Sequence, residues 1–405
     1  MSSTMSDPGL KFSPNTLPEL AQFVTDNATN ARRVLRPLGG GTACPQSTAQ
    51  DAVELRLDKL NRVIDYPARD MTITVEAGIR MADLTRILNA ENQRLPIDVP
   101  QAEQATLGGV IATNWSGSRR FGCGTMRDYV IGISAIDATG RRFSAGGRVV
   151  KNVAGYDLCK LLVGSRGELA IITQVTLKLR PRPETSALVG LSFDSPRQVE
   201  AVLAGLMNSA TRPMAIEVLS PLATLKSFAA ETSQRVLLCV GYEGADHEVR
   251  WQVQTLIAET QRFEPRTVKS LIGSDAEPTW MELTDFAVSG ALLSARSPLT
   301  FKASVPPSRT MEFVQLATEA GISAKAHAGN GIVLGHLPCT VTTAVQAETV
   351  LKPLSELANL CNGSLAVLRC PSDWPITQTI GGQASGLEWS ERIQRQLDPL
   401  GLFRR

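Results

Sequence analysis

Apolar and polar residues follow different periods along the first half of the chain, and these periods predict its elements. The segment MADLTRILNAENQRL carries apolar residues at helical spacing, at Leu84, Ile87, Leu88 and Leu95. LAIITQVTLKL is rich in β-branched residues, which favours a long strand. YVIGISAIDATGRRFSAG predicts a hairpin with its turn at residues 138–140. Thr16 or Pro18 can begin an early helix, and VLRPL predicts a strand that leads into Gly39.

A change in composition divides the chain into two predicted domains. RPRPETSA supplies two prolines and a charge cluster, so we expect a linker there and a boundary near Pro183. Beyond it, the helical segments PRQVEAVLAGLMNS and HEVRWQVQTLIAETQ are interleaved with the strand-like AIEVLS, RVLLCVGYEG and FKASVPPS. The prediction is α+β architecture, with one domain over residues 10–183 and a second over residues 184–405. A length of 405 residues suits two domains.

Composition narrows the function classes. The formal net charge is +2 and aromatic residues make up 5% of the chain, which argues against a nucleic-acid-binding surface. No basic segment followed by an apolar run opens the sequence and no 18-residue apolar stretch occurs, so we expect neither a signal peptide nor a membrane span. The seven cysteines are scattered without a C-x-x-C pair, which is typical of reduced thiols. The predicted location is the cytoplasm.

Three glycine-rich turns in the first half predict an extended ligand. GGGT at residues 39–42 follows a strand and, taken alone, indicates no more than a tight turn. The sequence after it lacks the G-x-G-x-x-G helix start of a dinucleotide fold and the Lys-Ser or Lys-Thr of a Walker loop. Further glycine turns follow in ATLGGVIATN and GSRG. Three such turns are more than a packed sheet needs, and they favour a pyrophosphate with a flat ring lying along backbone.

The segments RPLGGGT, LPIDVP, ATLGGVIATN, RRFGCGTMRDYVIG and VVKNVAGYDLCKLLVGSRGELAIITQVTLKLRP resemble the FAD-binding domain of the vanillyl-alcohol-oxidase (PCMH-type) flavoprotein superfamily. Within it, they are most similar to the family of FAD-binding E subunits of bacterial glycolate oxidases. The resemblance is continuous from Arg36 to Pro181, and it is fainter in the second half, which ends in LDPLGLF. It implies a PCMH-type FAD-binding domain followed by a C-terminal α+β cap domain.

The resemblance also implies which residues contact FAD. The pyrophosphate would lie against the first turn, and the flavin and ribityl chain against the second. Residues of a later strand would lie against the adenosine or the ring edge. In that order, the predicted positions are Pro37, Gly39, Gly40, Gly41 and Thr42; Thr106, Leu107, Gly108, Gly109, Thr113 and Asn114; and Ile171, Ile172 and Thr173. GELAI at residues 167–171 departs from the family's G-T-L-G-I.

The mode of FAD attachment is predicted to be non-covalent. The superfamily attaches flavin covalently through a histidine near the first turn or a cysteine near the second. The three histidines all lie beyond the FAD domain, at positions 247, 327 and 336. Cys123 lies in the second region, but between two glycines in a motif that other residues usually fill.

The second half carries an altered version of a family motif. Catalytic relatives have H-x-G-D-G-N-x-H, whose two histidines help to hold a divalent metal. Here HAGNGIVLGH keeps His327, replaces the aspartate by Asn330 and displaces the second histidine to His336, so we predict no metal site. One hypothesis is an altered acid-binding pocket made of Lys302, His327 and Asn330. The other, which we favour, is a turn with a hydrogen-bonded histidine and a solvated lysine.

Three functions follow as hypotheses. The first is an FAD-binding subunit of a glycolate oxidase complex, which relays electrons beside a catalytic FAD subunit and an iron–sulfur subunit. Such a complex would use a small 2-hydroxy acid such as glycolate, and attachment to the inner membrane through the complex stays open. The second is a self-sufficient FAD-linked 2-hydroxy-acid dehydrogenase. The third is a non-catalytic scaffold that FAD stabilises.

Overall fold

The chain forms two compact units. The computed structural model describes residues 10–42, 52–147, 157–223, 225–229, 234–289, 297–376, 379–380 and 387–403. Of these, unit 1 takes the residues within Met1–Ser116, Gly124–Arg182 and Ala384–Arg405, and unit 2 takes those within Gly117–Cys123 and Pro183–Gln383. The predicted VVKNVAGY motif begins at residues 149–156, which lie outside the described ranges.

Unit 1 is built on small sheets flanked by short helices. Its strands are β1 (Lys11–Phe12), β2 (Leu35–Leu38), β3 (Val53–Arg56), β4 (Val63–Asp65), β5 (Thr72–Glu76), β6 (Gln93–Arg94), β7 (Val130–Ile136), β8 (Arg142–Gly146), β9 (Ile171–Lys178) and β10 (Arg180–Pro181). Its helices are α1 (Leu17–Asp26, continued by a π turn at Asn27–Ala31), α2 (Met81–Ala90), α3 (Leu107–Thr113), α5 (Met126–Tyr129), α6 (Leu158–Leu162) and α12 (Leu387–Leu397). One sheet has the parallel order β1-β3-β2, a second has the antiparallel order β4-β5-β9-β7-β8, and β10 pairs with β6 in a two-stranded antiparallel sheet.

Several predicted elements of unit 1 are confirmed, with local chemistry that explains their ends. The Thr16 side chain accepts a hydrogen bond from the Glu19 N–H at the start of α1. The β7–β8 hairpin turns at the predicted residues, because the Asp137 carboxylate accepts from the Thr139 and Arg141 N–H groups while Gly140 takes a φ of 84°. Helix α2 ends at Ala90, so the predicted stripe was too long by five residues.

The end of the chain corrects the predicted domain boundary. The sequence alone placed all of residues 184–405 in one cap domain, whereas residues 387–403 belong to unit 1. The reason is apolar burial: Leu402 and Phe403 are 1% and 2% exposed, in a cluster with Leu35. The Leu402 carbonyl accepts from the Leu35 N–H at 2.6 Å. The Asp398 carboxylate accepts from the Leu402 and Phe403 N–H groups, which explains the aspartate of the LDPLGLF motif.

Unit 2 is one large antiparallel sheet with helices on both faces. Its strands are β11 (Thr185–Phe193), β12 (Ala215–Leu219), β13 (Val236–Gly244), β14 (Thr267–Ile272), β15 (Thr300–Ser304), β16 (Ser323–His327), β17 (Ile332–His336), β18 (Ser364–Arg369) and β19 (Thr379–Ile380). Its helices are α4 (Arg120–Cys123), α7 (Pro196–Leu206), α8 (Asp246–Thr260), α9 (Glu277–Ser289), α10 (Thr310–Glu319) and α11 (Ala344–Leu360). The strand order is β14-β11-β13-β12-β16-β17-β15-β18-β19. Strand β11 begins inside the predicted linker of residues 180–187.

The two faces of the unit 2 sheet differ in polarity. Alternate residues of β15 and β16, such as Phe301 and Ala324, pack with α7, α8, α10 and α11 into the hydrophobic core. The intervening residues of the same strands include Lys302, Lys325 and His327 and point to the opposite face. Helix α9 lies on that face, since its Leu283 carbonyl accepts a hydrogen bond from Lys325 Nζ. Charged groups are therefore concentrated on one face of this sheet.

Candidate functional site

The first two glycine turns of unit 1 contact each other directly. A Cβ atom added at Gly39 would lie 1.8 Å from Thr106 Oγ1, and one added at Gly40 would lie 1.7 Å from the Gln104 carbonyl oxygen. Only glycine allows so close an approach of two backbone segments. Gly41 has a φ of +70°, and a Cβ added there would meet no atom of the described residues within 4 Å. The turn of residues 39–42 is therefore held against residues 104–106, with its last glycine away from the other described residues.

The third glycine turn joins the same region. The Gly164 and Arg166 N–H groups donate to the carbonyls of Ile111 and Ala112, at 2.9 and 2.8 Å. Gly164 and Gly167 have φ values of +88° and +80°, which non-glycine residues rarely adopt. A Cβ at Gly167 would lie 3.8 Å from Pro37 Cγ. The structure thus brings the three predicted turns together around α3.

Buried polar atoms without partners mark this region as a ligand site. Within the described ranges, Thr106 Oγ1, Asn114 Oδ1, Trp115 Nε1 and Ser165 Oγ are buried and have no hydrogen-bond partner. An unsatisfied buried polar group destabilises a fold by about 1–3 kcal/mol, so four of them beside three glycine turns require an explanation. A polar ligand that bonds these atoms would provide one.

Some of the residues predicted to contact FAD form hydrogen bonds or core contacts with other parts of unit 1. The Leu107 and Gly108 N–H groups donate to the carbonyls of Ile79 and Ala77, at 2.9 and 2.7 Å. Thr113 Oγ1 donates to the Gly109 carbonyl within α3. The side chains of the β9 positions are buried in the core or bonded within the sheet: Ile171, Ile172 and Thr173. These side chains and N–H groups support the turns rather than face a ligand.

A buried charged cluster lies on the polar face of the unit 2 sheet. The Glu217 carboxylate contacts His327 Nδ1 at 2.6 Å through Oε1 and Lys325 Nζ at 3.6 Å through Oε2. All three side chains are buried, with exposed fractions of 3% or less. Lys325 Nζ also donates to the Leu283 carbonyl at 2.6 Å and lies 3.5 Å from Ser118 Oγ. We call Glu217, Lys325 and His327 the buried ionic cluster.

The protonation of the cluster follows from burial and charge. Burial raises the pKa of Glu217, but the neighbouring His327 and Lys325 more than offset this and hold its pKa below the ordinary value. Burial lowers the pKa of His327, and Glu217 offsets this only in part. The consistent state at neutral pH is a Lys325–Glu217 ion pair with a neutral His327 whose Nδ1–H donates to the carboxylate.

The two motif histidines are far apart. On paired strands β16 and β17, His327 lies opposite Ile332 and His336 lies opposite Ser323. Four residues of strand separate the two positions by about 13 Å. Two ligands of one metal ion need donor atoms within about 4 Å of each other, given bonds of about 2 Å. His336 instead contacts Thr300 Oγ1 and the Phe286 carbonyl, at 3.0 and 2.6 Å.

The remaining motif residues form a turn and a neighbouring strand. The Asn330 and Gly331 N–H groups both donate to the His327 carbonyl, and Gly331 has a φ of +69°. Lys302 is half-buried, and Leu334 lies between it and Lys325 in the sheet register. Among the described residues, no group of three His, Cys, Asp or Glu side chains could hold a metal ion. The residues of the HAGNG motif therefore lack the arrangement of two histidines with which catalytic relatives help to hold a divalent metal.

An arginine from a distant segment lies beside Trp280, although the segment TWMELTDF around Trp280 contains no arginine. The Arg119 guanidinium is 4.0 Å from the Trp280 ring centroid, and its Nε donates to Glu243 Oε1 at 2.6 Å. Arg119 comes from a segment about 160 residues earlier in the chain than Trp280. Cys123, four residues further on, is 4% exposed and has its Sγ 3.7 Å from Met214 Sδ.

Sequence reasoning missed Glu217, Lys325 and Arg119. A signal was present for two of them. Glu217 is the only charged residue of the apolar strand AIEVL, and Lys325 lies between alanines in SAKAH. A charged residue within an apolar strand is rarely buried unless it is paired, so the two strands together indicated a buried ion pair.

Both halves of the chain match known families. Residues 8–146 match the family described as FAD binding domain, and residues 182–364 match the family described as FAD linked oxidases, C-terminal domain. The chain is an FAD-linked oxidoreductase. The predictions of an FAD cofactor and of an oxidoreductase are thereby confirmed.

Named relatives of this FAD-linked oxidoreductase fall into one broad group. It is 27% identical to glycolate oxidase subunit GlcD of Bacillus subtilis (strain 168) over 356 residues, which are 83% of this chain and 73% of that protein. It is 38% identical to glycolate oxidase subunit GlcE of Escherichia coli (strain K12) over 125 residues, 31% of this chain and 36% of that protein. It is 35% identical to D-lactate dehydrogenase of Archaeoglobus fulgidus over 157 residues, 38% of this chain and 35% of that protein. The chain is thus similar to glycolate oxidase subunits and to a D-lactate dehydrogenase.

The fold is shared with solved structures. Two crystal forms of alkyldihydroxyacetonephosphate synthase superpose with TM-scores of 0.67 and 0.68, at 17% and 18% identity. Each covers 97% of this chain, and the chain covers 76% and 75% of theirs. At this identity the likeness shows the fold alone. The predicted two-domain FAD-binding fold of mixed helices and sheets is confirmed. Within the described ranges, every helix falls short of the length and apolar character of a bilayer span.

The residues of unit 1 fit FAD. The ligand carries a pyrophosphate and many polar atoms, and the glycine turns offer backbone approach beside the unpartnered atoms of Thr106, Asn114 and Ser165. The chemistry that FAD supplies when bound is the acceptance of two electrons in its flavin ring. The protein residues would bind and orient it, and their fixed turns limit its freedom.

Proposed function

We propose that the chain is an FAD-binding subunit of a glycolate oxidase complex and takes part in electron transfer from 2-hydroxy-acid oxidation. The complex would also contain a catalytic FAD subunit and an iron–sulfur subunit. In this proposal FAD is held non-covalently in unit 1, with the turn of Gly39, Gly40, Gly41 and Thr42 near the pyrophosphate. Thr106 and Asn114 would bond the flavin and its ribityl chain.

The observation that carries the proposal is the buried ionic cluster. A side chain that orients a 2-hydroxy acid must reach the substrate, and one that binds a metal must offer a lone pair. His327 is 3% exposed, which keeps it from a substrate in this structure, and its Nδ1 is bonded to Glu217, so only Nε2 retains a lone pair. The adjacent Lys325 ammonium would repel a divalent cation at the same place. The motif histidine that would take part in catalysis thus makes structural contacts instead.

A second candidate is a self-sufficient FAD-linked 2-hydroxy-acid dehydrogenase. Lys302 favours it, because its half-buried side chain is on the polar face of the sheet and offers a cation for a carboxylate. The altered pocket would then consist of Lys302 with the turn at Asn330. The similarity to GlcD over 73% of that protein is equally compatible with this candidate.

Reconstitution tests the proposal. The chain, loaded with FAD, would be mixed with a catalytic flavoprotein subunit and an iron–sulfur subunit of a glycolate oxidase, and glycolate-dependent reduction of a dye would be followed. We expect stable co-purification of the three proteins and a rate that none of them reaches alone. Failure of the chain to bind either partner, together with full dye reduction in its absence, would contradict the proposal.

A further inference from the structure

Trp115 lies just beyond α3, the helix around which the three glycine turns of unit 1 meet. The Trp115 N–H donates to the Val110 carbonyl at 3.1 Å, and the Asn114 N–H donates to the Ile111 carbonyl at 3.0 Å. Asn114 has a left-handed φ of 48°. These features together make a Schellman motif, which is a common end of an α-helix. The backbone of Trp115 is therefore fixed by the end of α3 itself.

The third glycine turn is bonded to the same helix end. The Ile111 carbonyl also accepts from the Gly164 N–H at 2.9 Å, and the Ala112 carbonyl accepts from the Arg166 N–H at 2.8 Å. The Trp115 side chain packs against the core cluster of unit 1 that contains Ile111. All of these contacts lie within unit 1. The unit that contains the glycine turns therefore sets the position of the indole ring.

The indole of Trp115 carries a buried donor without a partner. Its Nε1 atom is buried and makes no hydrogen bond within the described ranges. An indole N–H can only donate, and the N–H of a buried tryptophan usually finds an acceptor. Leaving it unpaired destabilises the protein, since the N–H has lost its bond to water. A ligand that offers an acceptor atom here would remove this cost.

The adjacent residue restricts which part of a ligand can lie here. Asn114 Oδ1 is also buried and unpartnered within the described ranges, and as a carbonyl oxygen it can only accept. An ionised pyrophosphate has acceptors but no donors, so it could satisfy Trp115 but not Asn114. The flavin ring and the ribityl hydroxyls offer donors and acceptors side by side. Consecutive side chains of opposite hydrogen-bonding character fit that part of FAD.

We propose that Trp115 is a cofactor-binding residue whose indole N–H donates to an acceptor atom of the flavin ring or ribityl chain, beside Asn114. Trp115 lies outside the set of positions predicted from the sequence, whose second group ends at Asn114. The inference rests on the proposed function, in which Thr106 and Asn114 bond the flavin and its ribityl chain.

Removing this one N–H has opposite effects on the free and the loaded protein. In the apoprotein it removes an unpaired buried donor, so a replacement of equal size should not lower the unfolding midpoint. In the loaded protein it removes a hydrogen bond and leaves the acceptor of the ligand buried and unpaired. We expect FAD affinity to fall about tenfold, equivalent to about 1.4 kcal/mol.

The test measures FAD binding to variants of the full chain by titration of the apoprotein. One variant carries benzothienylalanine at position 115, which keeps two fused rings but has sulfur in place of the N–H. Trp115→Phe removes the N–H with part of the ring. Trp251→Phe is the matched control, because Trp251 lies on α8 of unit 2 and is 50% exposed. Thermal unfolding of each apoprotein and the affinity for ADP, measured by competition with FAD, are determined in parallel.

We expect both changes at position 115 to weaken FAD binding about tenfold and to leave ADP affinity unchanged, since ADP lacks the flavin and ribityl chain. The benzothienylalanine apoprotein should unfold at or above the wild-type temperature, and Trp251→Phe should bind FAD as the wild type does. Full FAD affinity with benzothienylalanine would overturn the proposal, even if Trp115→Phe binds weakly, because the indole would then act by packing alone. An equal loss of ADP affinity would also overturn it.

A comparison with Gly40→Ala separates two kinds of failure. If Gly40→Ala and the benzothienylalanine variant both keep full FAD affinity, the glycine turns are not the cofactor site. If Gly40→Ala loses affinity and the benzothienylalanine variant does not, only the role of Trp115 fails.

Discussion

Replacing Gly40 by alanine tests the FAD site with the smallest possible change. An ideal Cβ at this position lies 1.7 Å from the Gln104 carbonyl oxygen. Ordinary contacts between carbon and oxygen are about 3.3 Å or longer, so the turn of residues 39–42 must move by about 1.6 Å. The same residues would then no longer meet the pyrophosphate and the segment 104–106 at once.

The displacement sets the expected loss of affinity. A misplacement of about 1 Å in a binding or catalytic group can reduce its effect about 100-fold. We therefore expect the FAD dissociation constant of Gly40→Ala to rise at least about 100-fold, equivalent to about 2.8 kcal/mol of binding free energy. Gly147→Ala is the control, because a Cβ there meets no atom of the described residues within 4 Å and the residue has no left-handed φ.

The assay is FAD titration of apoprotein, with far-ultraviolet circular dichroism to establish that each variant is folded. Gly147→Ala should bind FAD as the wild type does. A folded Gly40→Ala variant whose dissociation constant stays within about threefold of the wild type would refute the reasoning, since a shift of this size in the turn would then not matter for FAD.

Three further predictions concern the buried ionic cluster and the cofactor. Glu217→Gln or Lys325→Met should each lower the unfolding free energy by about 3–5 kcal/mol, because each leaves the other charge buried and unpaired. The double variant should lose less unfolding free energy than the two single variants added together. Chemical denaturation measures these losses. Stability should fall as pH drops below about 6.5, since the folded-state pKa values of His327 and Glu217 are both lowered and the unfolded state binds more protons. The slope per proton is at most about 1.4 kcal/mol per pH unit, and a His327→Gln variant with an unchanged profile would contradict the assignment. Acid precipitation should release the FAD intact, and flavin that stays with the precipitate would show a covalent bond.

The glycine turns could be predicted from the sequence because glycine has a narrow structural meaning. Gly39 and Gly40 are required by close approach to residues 104–106, and Gly41, Gly164 and Gly167 by their left-handed φ values. The close approach of Gly39 and Gly40 joins segments about 65 residues apart in the sequence, but the left-handed φ values are local to the chain. The hairpin at Gly140 and the start of α1 at Thr16 were predictable for the same reason.

The cluster in unit 2 could not be assembled in the same way. Glu217 and His327 are 110 residues apart and meet only because β12 pairs with β16 in one register. A one-residue slip would place the two side chains on opposite faces. Arg119 comes from a still more distant segment, and no local pattern shows that residues 117–123 belong to unit 2. The packing of the C-terminal Leu402 and Phe403 in unit 1 could not be predicted for a similar reason, because residues that are buried together need not be close in the sequence.

We propose that the isolated chain binds FAD and, as a subunit, does not by itself oxidise a 2-hydroxy acid. The measurement is anaerobic reduction of the FAD-loaded chain by excess glycolate or D-lactate, followed by bleaching of the flavin. We expect no bleaching at an enzyme-like rate, because His327 is bonded to Glu217 and all three side chains of the buried ionic cluster are buried. Bleaching at about 1 s⁻¹ or faster would contradict it and favour the self-sufficient dehydrogenase with Lys302 in its pocket.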